Sequence, residues 1–177
     1  MIGNDVIDLA YQVKLFKAFK SDRLNHKIFT PNELARLNHD DSLSLLRRWT
    51  MKEAAYKAHQ RIYQLKPKFN PFQIDTHLID AKQGTAKIQD HNFNLSSTTS
   101  KDCIFSSVDT VQHQINLNYT SDQHLLHQLC LLFDTKSIHI CKDELNIPSF
   151  YLNNQVKPIS LTKHGKFKWA TIYSPNC

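Results

Sequence analysis

Glycine is scarce in this sequence. The 177 residues contain only Gly3, Gly84 and Gly165. A Gly-rich loop that cradles phosphate groups, of the Walker or the dinucleotide-binding kind, needs several glycines within a few residues. The sequence therefore excludes such loops, and any phosphate that the protein binds must be held by cationic side chains, helix ends or a metal ion.

Paired cysteines and long apolar runs are also lacking. The four cysteines, Cys103, Cys130, Cys141 and Cys177, form no C-x-x-C pair and match no zinc framework, so reduced thiols are expected. No run approaches the ~20 apolar residues that cross a bilayer. The first residues, MIGNDVIDL, lack the basic and apolar regions of a signal peptide. We therefore expect a cytoplasmic protein with no membrane partner.

Positive charge is in excess. The chain has 22 Lys and Arg residues against 16 Asp and Glu, a formal net charge of +6. Such a protein favours acidic partners, which include nucleic acid, phosphorylated ligands and acidic proteins. No segment resembles an RNP or KH motif, which argues against an RNA-binding domain. The charge does not distinguish between the other two partners.

The N-terminal half predicts a strand followed by helices. IGNDVIDL is typical of a short strand. A short helix is expected from Pro31, with Thr30 as its N-cap and Glu33 completing a capping box. A long helix should then run from about Leu43 to Leu65, capped by Asp41 or Ser42.

The rest of the chain predicts mainly strands. Residues 68–121 have strand character, and TVQHQINLNYT alternates Val111, Ile115, Leu117 and Tyr119 on one face. DQHLLHQLCLLF is a predicted helix, and SIHIC, SFYL, PISLTK and KFKWATIY are predicted strands. We expect one α+β domain over residues 1–177, with an antiparallel sheet packed against a long helix and shorter helices.

The long predicted helix contains WTMKEAAYK. Trp49, Glu53 and Lys57 are four residues apart and share a helix face. A solvated Glu–Lys pair would explain this spacing, but the tryptophan and the alanines between these residues indicate close packing. Glu53 could instead hold a divalent metal while Lys57 and Arg48 hold phosphate oxygens.

A second carboxylate could come from GNDVIDL. Asp5 lies in an otherwise apolar strand, where a charge is costly unless it is paired or binds a metal. The alternative is that Asp5 ends a strand at the surface. Asp8 follows three residues later, and a regular strand directs positions 5 and 8 to opposite faces. Both would reach one metal only if the strand ended or bulged between them.

Three segments, in this order, resemble the 4'-phosphopantetheinyl transferase superfamily, and most of all its single-domain holo-acyl-carrier-protein synthase branch. Gly3 to Asp8 is similar to G-x-D-[IV]-[IV]-[DE]. Trp49 to Ala58 is similar to [FW]-x-x-K-E-A-x-x-K-A, and the FTPNEL segment before it to L-[ST]-x-x-E. SLTK, from Ser160 to Lys163, is similar to S-[LI]-[ST]-H. The resemblance covers residues 1–10, 27–60 and 146–173.

The sequence departs from the family pattern in three places. Lys163 stands where the family has a histidine that contacts phosphate, and His164 follows, so either residue could take that role. His59 and Gln60 replace a glycine turn after the helix motif. Residues 68–121 have no counterpart that we can match.

The resemblance implies a reaction and its site. The phosphopantetheine arm of coenzyme A would move to a serine of an apo carrier protein, with release of 3',5'-ADP. Asp5 and Glu53 would bind Mg²⁺, with Asp8 as a candidate third ligand through a water molecule. Asp5, Glu53 and Lys57 would be catalytic, and Glu53 or a water on the metal would accept the serine proton. Contacts to coenzyme A would come from Arg48, Lys52, Lys57, Ser160, Lys163 and His164.

The family also implies partners. The carrier protein is typically acidic, which suits the positive charge of this chain, and it could serve fatty-acid, polyketide or peptide synthesis. Single-domain members build the site between identical subunits, so a homo-oligomer, with a trimer favoured, is expected. The alternatives are a monomer in which residues 68–121 supply the missing wall, and a catalytically impaired module that binds coenzyme A or the carrier without turnover.

Overall fold

Two antiparallel sheets of five strands each form the fold. The computed structural model describes residues 1–11, 22–37, 42–110 and 113–175. These residues form an α+β structure, which confirms the predicted fold class and the long helix beside an antiparallel sheet. The strands are divided between two sheets rather than joined in one.

The first sheet contains β1 and four strands from the strand-rich segment 68–121, which has no recognised counterpart in the family pattern. In spatial order its strands are β1 (Asn4–Asp8), β5 (Cys103–Val108), β4 (His91–Thr99), β3 (Gln83–Ile88) and β2 (Ile74–Leu78). β1 is therefore an edge strand, and β2 lies at the opposite edge. The β1–β5 pairing is regular from Asn4 opposite Ser107 to Asp8 opposite Cys103.

Among the described residues, three helices precede β2 in the chain. They are α1 (Asp22–Ile28), α2 (Pro31–Leu34) and α3 (Ser42–Tyr63), and a 3-10 turn follows at Pro71–Gln73. Thr30 caps α2 and forms the predicted capping box with Glu33. Ser42 is the first residue of α3, and the alternative cap, Asp41, lies outside the described residues.

Small residues let α3 lie directly on the first sheet. Ala54, Ala55 and Ala58 are completely buried against it, as the sequence indicated. A Cβ atom on Gly3 would overlap the carbonyl oxygen of Ala54 and would lie 2.8 Å from the backbone nitrogen of Ala58. The absence of a side chain at residue 3 therefore allows the start of β1 to contact the helix backbone.

The second sheet is formed by the last third of the chain. In spatial order its strands are β6 (Gln114–Asn118), β10 (Phe167–Tyr173), β9 (Gln155–His164), β8 (Pro148–Leu152) and β7 (His139–Lys142). Helix α4 (Asp122–Leu132) packs on one face through Leu125 and Leu129. The predicted helix and strands of this region are confirmed, except that Val111 lies outside the described residues.

Side chains of strand β9 connect the second sheet to β1. It pairs with β10 through its C-terminal part, from Ile159 to His164, whereas β8 pairs with it only over Gln155–Pro158. Ile159 contributes to the core under α4. Because side chains alternate along a strand, Ser160, Thr162 and His164 point the other way. All three contact residues of β1.

Candidate active site

Asp5, Glu53 and Lys57 meet where β1 crosses α3. The Lys57 ammonium lies 3.2 Å from Asp5 Oδ1 and donates to the carbonyl oxygen of Asn4 at 2.9 Å. The Glu53 carboxyl group lies beside them, where it interacts with Asp5, Lys57 and Trp49. The structure thus brings together the three residues that the sequence predicted as catalytic.

The environment of Glu53 disfavours its charge. Burial and the neighbouring charge of Asp5 raise the pKa of Glu53 to about 7, against the smaller opposing effects of Lys57 and Trp49. Two carboxyl groups that share one cation repel each other when both are ionised. An additional cation between them would relieve that repulsion.

Thr162 is a contact of Asp5 that sequence reasoning missed. Its hydroxyl donates to Asp5 Oδ1 at 2.8 Å, and both side chains are buried. Thr162 is the third residue of SLTK, and its alternation with Ser160 and His164 was the available signal. Nothing in the sequence showed that this strand face would lie on β1.

Asn4 joins β1 to the second sheet beside Asp5. Its side chain donates to Thr171 Oγ1 at 2.8 Å and accepts from Ser160 Oγ at 2.8 Å, and its backbone N–H donates to the same Ser160 oxygen at 3.1 Å. Ser160, predicted to contact coenzyme A, is thus engaged by β1 and also borders the cleft described below.

Asp8 is occupied by backbone groups. It accepts N–H bonds from Ala10 at 3.0 Å, Tyr11 at 3.3 Å and Lys166 at 3.1 Å. Burial opposes its charge, but these bonds together lower the pKa of Asp8. β1 is regular through Asp8, so Asp8 does not point toward Asp5 and Glu53. The structure therefore gives no support to Asp8 as a third metal ligand.

His164 and Lys163 point in opposite directions. The Nδ1 atom of His164 accepts the backbone N–H of Asp8 at 3.0 Å, and the β9–β10 turn continues at Gly165, where φ is +54°. Lys163 is exposed on the other face of β9. The structure brings neither side chain to the carboxyl pair, so the predicted phosphate contact of Lys163 or His164 is not observed as a part of this group.

Arg48 and Lys52 contact the opposite edge of the first sheet. The guanidinium of Arg48 donates to the carbonyl oxygen of Thr76 in β2 at 2.7 Å. The completely buried ammonium of Lys52 lies 2.6 Å from Glu33 Oε2 and also donates to the carbonyl oxygens of Pro71 and Ile74. Burial lowers the pKa of Lys52, which its attraction to Glu33 opposes. The structure gives no support to the prediction that Arg48 and Lys52 contact coenzyme A, because both cations are engaged by β2 and the residues that lead into it.

A cleft with cationic walls lies beside Lys57. Its volume is about 220 Å³, and its cations are Lys57, Arg61 and Lys142. Arg61 donates to the carbonyl oxygens of Pro148 at 2.8 Å and Ile159 at 2.7 Å, so it also joins α3 to the second sheet. We call this the basic cleft. Arg61 and Lys142 were not predicted, since no recognised motif contains them.

The carboxyl pair fits a hard divalent cation. Mg²⁺ takes one or two protein carboxylates and completes its shell with water and phosphate oxygens. Asp5 and Glu53 converge and offer oxygen ligands only, and their mutual repulsion is a reason for a cation there. Within the described ranges, no group of three or more His, Cys, Asp or Glu side chains could hold a metal.

Comparison with known proteins identifies the family. The model of the 4'-phosphopantetheinyl transferase superfamily matches residues 1–116. The chain belongs to this superfamily, and this membership supports a phosphopantetheinyl transferase activity. Neither the curated proteins nor the solved structures gave a match.

The extent of the match differs from that of the resembling segments. Residues 68–116, which we could not align with a family pattern, lie inside it, and they form most of the first sheet. The SLTK segment lies outside it. In the part of the chain that the structure describes, no helix is long and apolar enough to cross a membrane.

Proposed function

We propose that this protein transfers the 4'-phosphopantetheine arm of coenzyme A to a serine of an apo acyl or peptidyl carrier protein and releases 3',5'-ADP. The observation that carries the proposal is the meeting of Asp5 and Glu53 with Lys57, which also lines the basic cleft. The superfamily membership supplies the reaction class.

Asp5 and Glu53 would hold Mg²⁺. When bound, the ion neutralises charge on the pyrophosphate and favours departure of the nucleotide. The protein orients these ligands from two elements, since Asp5 is fixed on β1 and Glu53 on α3. Asp8 is left out of the proposed site because its oxygens are held by backbone N–H groups.

Lys57 would bind the pyrophosphate oxygens. Its side chain is 27% exposed, and it lies between Asp5 and the basic cleft. An ammonium in that position can leave its contact with the Asn4 carbonyl oxygen for an anion at little cost. Glu53 is the candidate acceptor for the proton of the carrier serine, because its carboxyl group lies with Asp5 and Lys57 where the reacting phosphate would be held.

The basic cleft would receive the anionic nucleotide end of coenzyme A. Arg61 and Lys142 extend the positive charge of Lys57 away from the carboxyl pair. Cations at these positions suit phosphate groups, and the sequence has no Gly-rich loop to bind them. The positive net charge of the chain would also steer an acidic carrier protein toward the site.

A catalytically impaired binding module is the second candidate. Lys163 points away from β1, and His164 is engaged by the Asp8 backbone, so the family's phosphate-binding histidine has no direct equivalent at the carboxyl pair. Such a module would bind coenzyme A or the carrier without transferring the arm.

Mass spectrometry of the carrier separates the two candidates. The protein is incubated with an apo carrier protein, coenzyme A and Mg²⁺, with parallel samples containing a chelator or the Glu53→Gln variant. We expect the carrier to gain the mass of one phosphopantetheine group only with the wild-type protein and the metal. Binding of coenzyme A without any gain in carrier mass, over a panel of carriers, would favour the binding module.

A further inference from the structure

Asp5 receives hydrogen-bond donors from two different parts of the molecule. Lys57 reaches its Oδ1 atom from α3 at 3.2 Å, and Thr162 reaches the same oxygen from β9 at 2.8 Å. Neither of these donors is bonded to Oδ2. Both donors therefore engage the same oxygen of Asp5.

The two donors differ in rigidity. Lys57 is partly exposed and carries its ammonium on a long flexible side chain, whereas Thr162 is 6% exposed and its β-branched side chain has few rotamers. The Thr162 hydroxyl is also the shorter contact. Of the two, Thr162 is the group able to hold the Asp5 carboxylate in a single orientation.

We infer that Thr162 is a positioning residue that orients Asp5 for metal binding, and that the second sheet thereby contributes to the site from outside the family match. This inference rests on the proposed role of Asp5 as a Mg²⁺ ligand. Residues that hydrogen bond to a metal ligand orient it, and their loss commonly costs about 10–100-fold in metal affinity. Thr162 has this relation to Asp5.

The attachment of the second sheet to β1 does not depend on Thr162. Ser160 and Thr171 bond the side chain of Asn4, and His164 accepts the N–H of Asp8. These contacts remain when the Thr162 hydroxyl is removed. A substitution at residue 162 therefore tests the orientation of Asp5 rather than the assembly of the two sheets.

The chain offers a matched control. Thr162→Val removes the hydroxyl that bonds Asp5, and Thr171→Val removes a buried hydroxyl from the same interface that bonds Asn4. Thr162→Ser retains a hydroxyl at the first position. Binding of Mn²⁺ to each full-length variant, without coenzyme A or carrier, is measured by electron paramagnetic resonance, and melting temperatures are recorded in chelator.

Thr162→Val should weaken Mn²⁺ binding at least about tenfold, Thr162→Ser should stay close to the wild type, and Thr171→Val should retain wild-type affinity. Thr171→Val should lose at least as much stability as Thr162→Val, because the Thr171 hydroxyl also donates to Asn116 Oδ1 at 2.6 Å. Three results would each overturn the inference. They are equal Mn²⁺ affinity in Thr162→Val and the wild type, an equal loss of Mn²⁺ affinity in both valine variants, and no Mn²⁺ binding by the wild type. If Thr162→Val does not fold, Thr162→Ala takes its place under the same criteria.

The result is independent of the transfer assay. A wild-type protein that binds Mn²⁺ in a Thr162-dependent way but never modifies a carrier would refute the proposed transfer and leave the role of Thr162 intact. Transfer by the wild type together with unaltered Mn²⁺ binding by Thr162→Val would support the proposed transfer and refute the positioning role of Thr162.

Discussion

Lys52 and Glu33 form a completely buried ion pair, with Nζ 2.6 Å from Oε2. The other contacts of Glu33 are also internal, since its carboxylate accepts the backbone N–H groups of Thr30 and Thr76. The pair thus connects the FTPNEL segment, the WTMKEAAYK helix and β2. The lysine next to Glu53 stabilises the fold, whereas Lys57 lies at the candidate site.

Replacing Lys52 should destabilise the protein. Lys52→Ala leaves the Glu33 carboxylate buried without its cation, and loss of one partner of a buried pair costs about 3–5 kcal/mol. Urea unfolding at neutral pH, followed by circular dichroism, measures the change in the free energy of unfolding.

Lys57→Ala is the matched control on the same helix. Its side chain is partly exposed, so we expect a loss of stability of about 1 kcal/mol or less together with loss of transfer activity. If Lys52→Ala were as stable as Lys57→Ala, the ion pair would not be important for the fold.

The stability of the metal-free protein should fall as the pH rises from about 4.5 to about 7. The pKa of Glu53 is raised from its ordinary value of 4.5 to about 7 in the folded protein. Over this range the folded state keeps a proton that the unfolded state has released, so a rise in pH favours unfolding. The loss in the free energy of unfolding is complete above pH 7 and amounts to up to about 3 kcal/mol.

Glu53→Gln isolates this contribution. The amide does not titrate, so in chelator the variant should become more stable than the wild type as the pH rises through this range. Denaturant midpoints at pH 4.5, 6 and 8 measure the difference. A constant difference at all three pH values would contradict the raised pKa.

Lys142 should distinguish coenzyme A from dephospho-coenzyme A better than Lys163 does. Lys142 lines the basic cleft, whereas Lys163 is exposed on the other face of β9. We expect Lys142→Ala to weaken coenzyme A about tenfold, a typical loss for a contact to a charged group, and dephospho-coenzyme A much less. Calorimetry measures the affinity of Lys142→Ala and Lys163→Ala for both ligands. A larger selective loss of coenzyme A affinity in Lys163→Ala would indicate that Lys163, rather than Lys142, contacts the 3'-phosphate.

The assembly state can now be tested against a specific alternative. The sequence predicted a homo-oligomer because the chain has one copy of each motif. In the structure the SLTK strand of the same chain contacts Asp5 and lines the basic cleft through Ser160 and Leu161. One chain can therefore supply this wall of the cleft, and the lining includes none of the described residues of the 68–121 segment. We expect light scattering to give the mass of one chain in an active sample at micromolar concentration. Activity confined to a trimeric fraction would restore the shared site.

Local patterns predicted the elements of this fold because their causes are local. The Thr30–Glu33 capping box, the run of α3 without Gly or Pro and the alternation of residue types in the last strands are set by residues a few positions apart. The division of the strands into two sheets depends on pairing between distant segments, for which the sequence has no comparable signal.

Part of the candidate site was predicted because its signals are also local. Glu53 and Lys57 share a helix face, and an aspartate in an apolar strand needs a partner, so both features were visible in the sequence. Lys52 is one residue from Glu53, but a helix turns by about 100° per residue, which directs it to Glu33 instead. Thr162 became recognisable only once β9 was seen on β1.

Gly3 decides how closely β1 approaches α3, since a Cβ atom there would overlap the carbonyl oxygen of Ala54. Ala54 follows Glu53 in the helix, and Asp5 lies two residues beyond Gly3 in the strand. The gap between the two carboxylates is therefore set by a side chain that consists of one hydrogen atom. Any larger residue at this position would act as a spacer, moving Asp5 away from Glu53 without changing either of them.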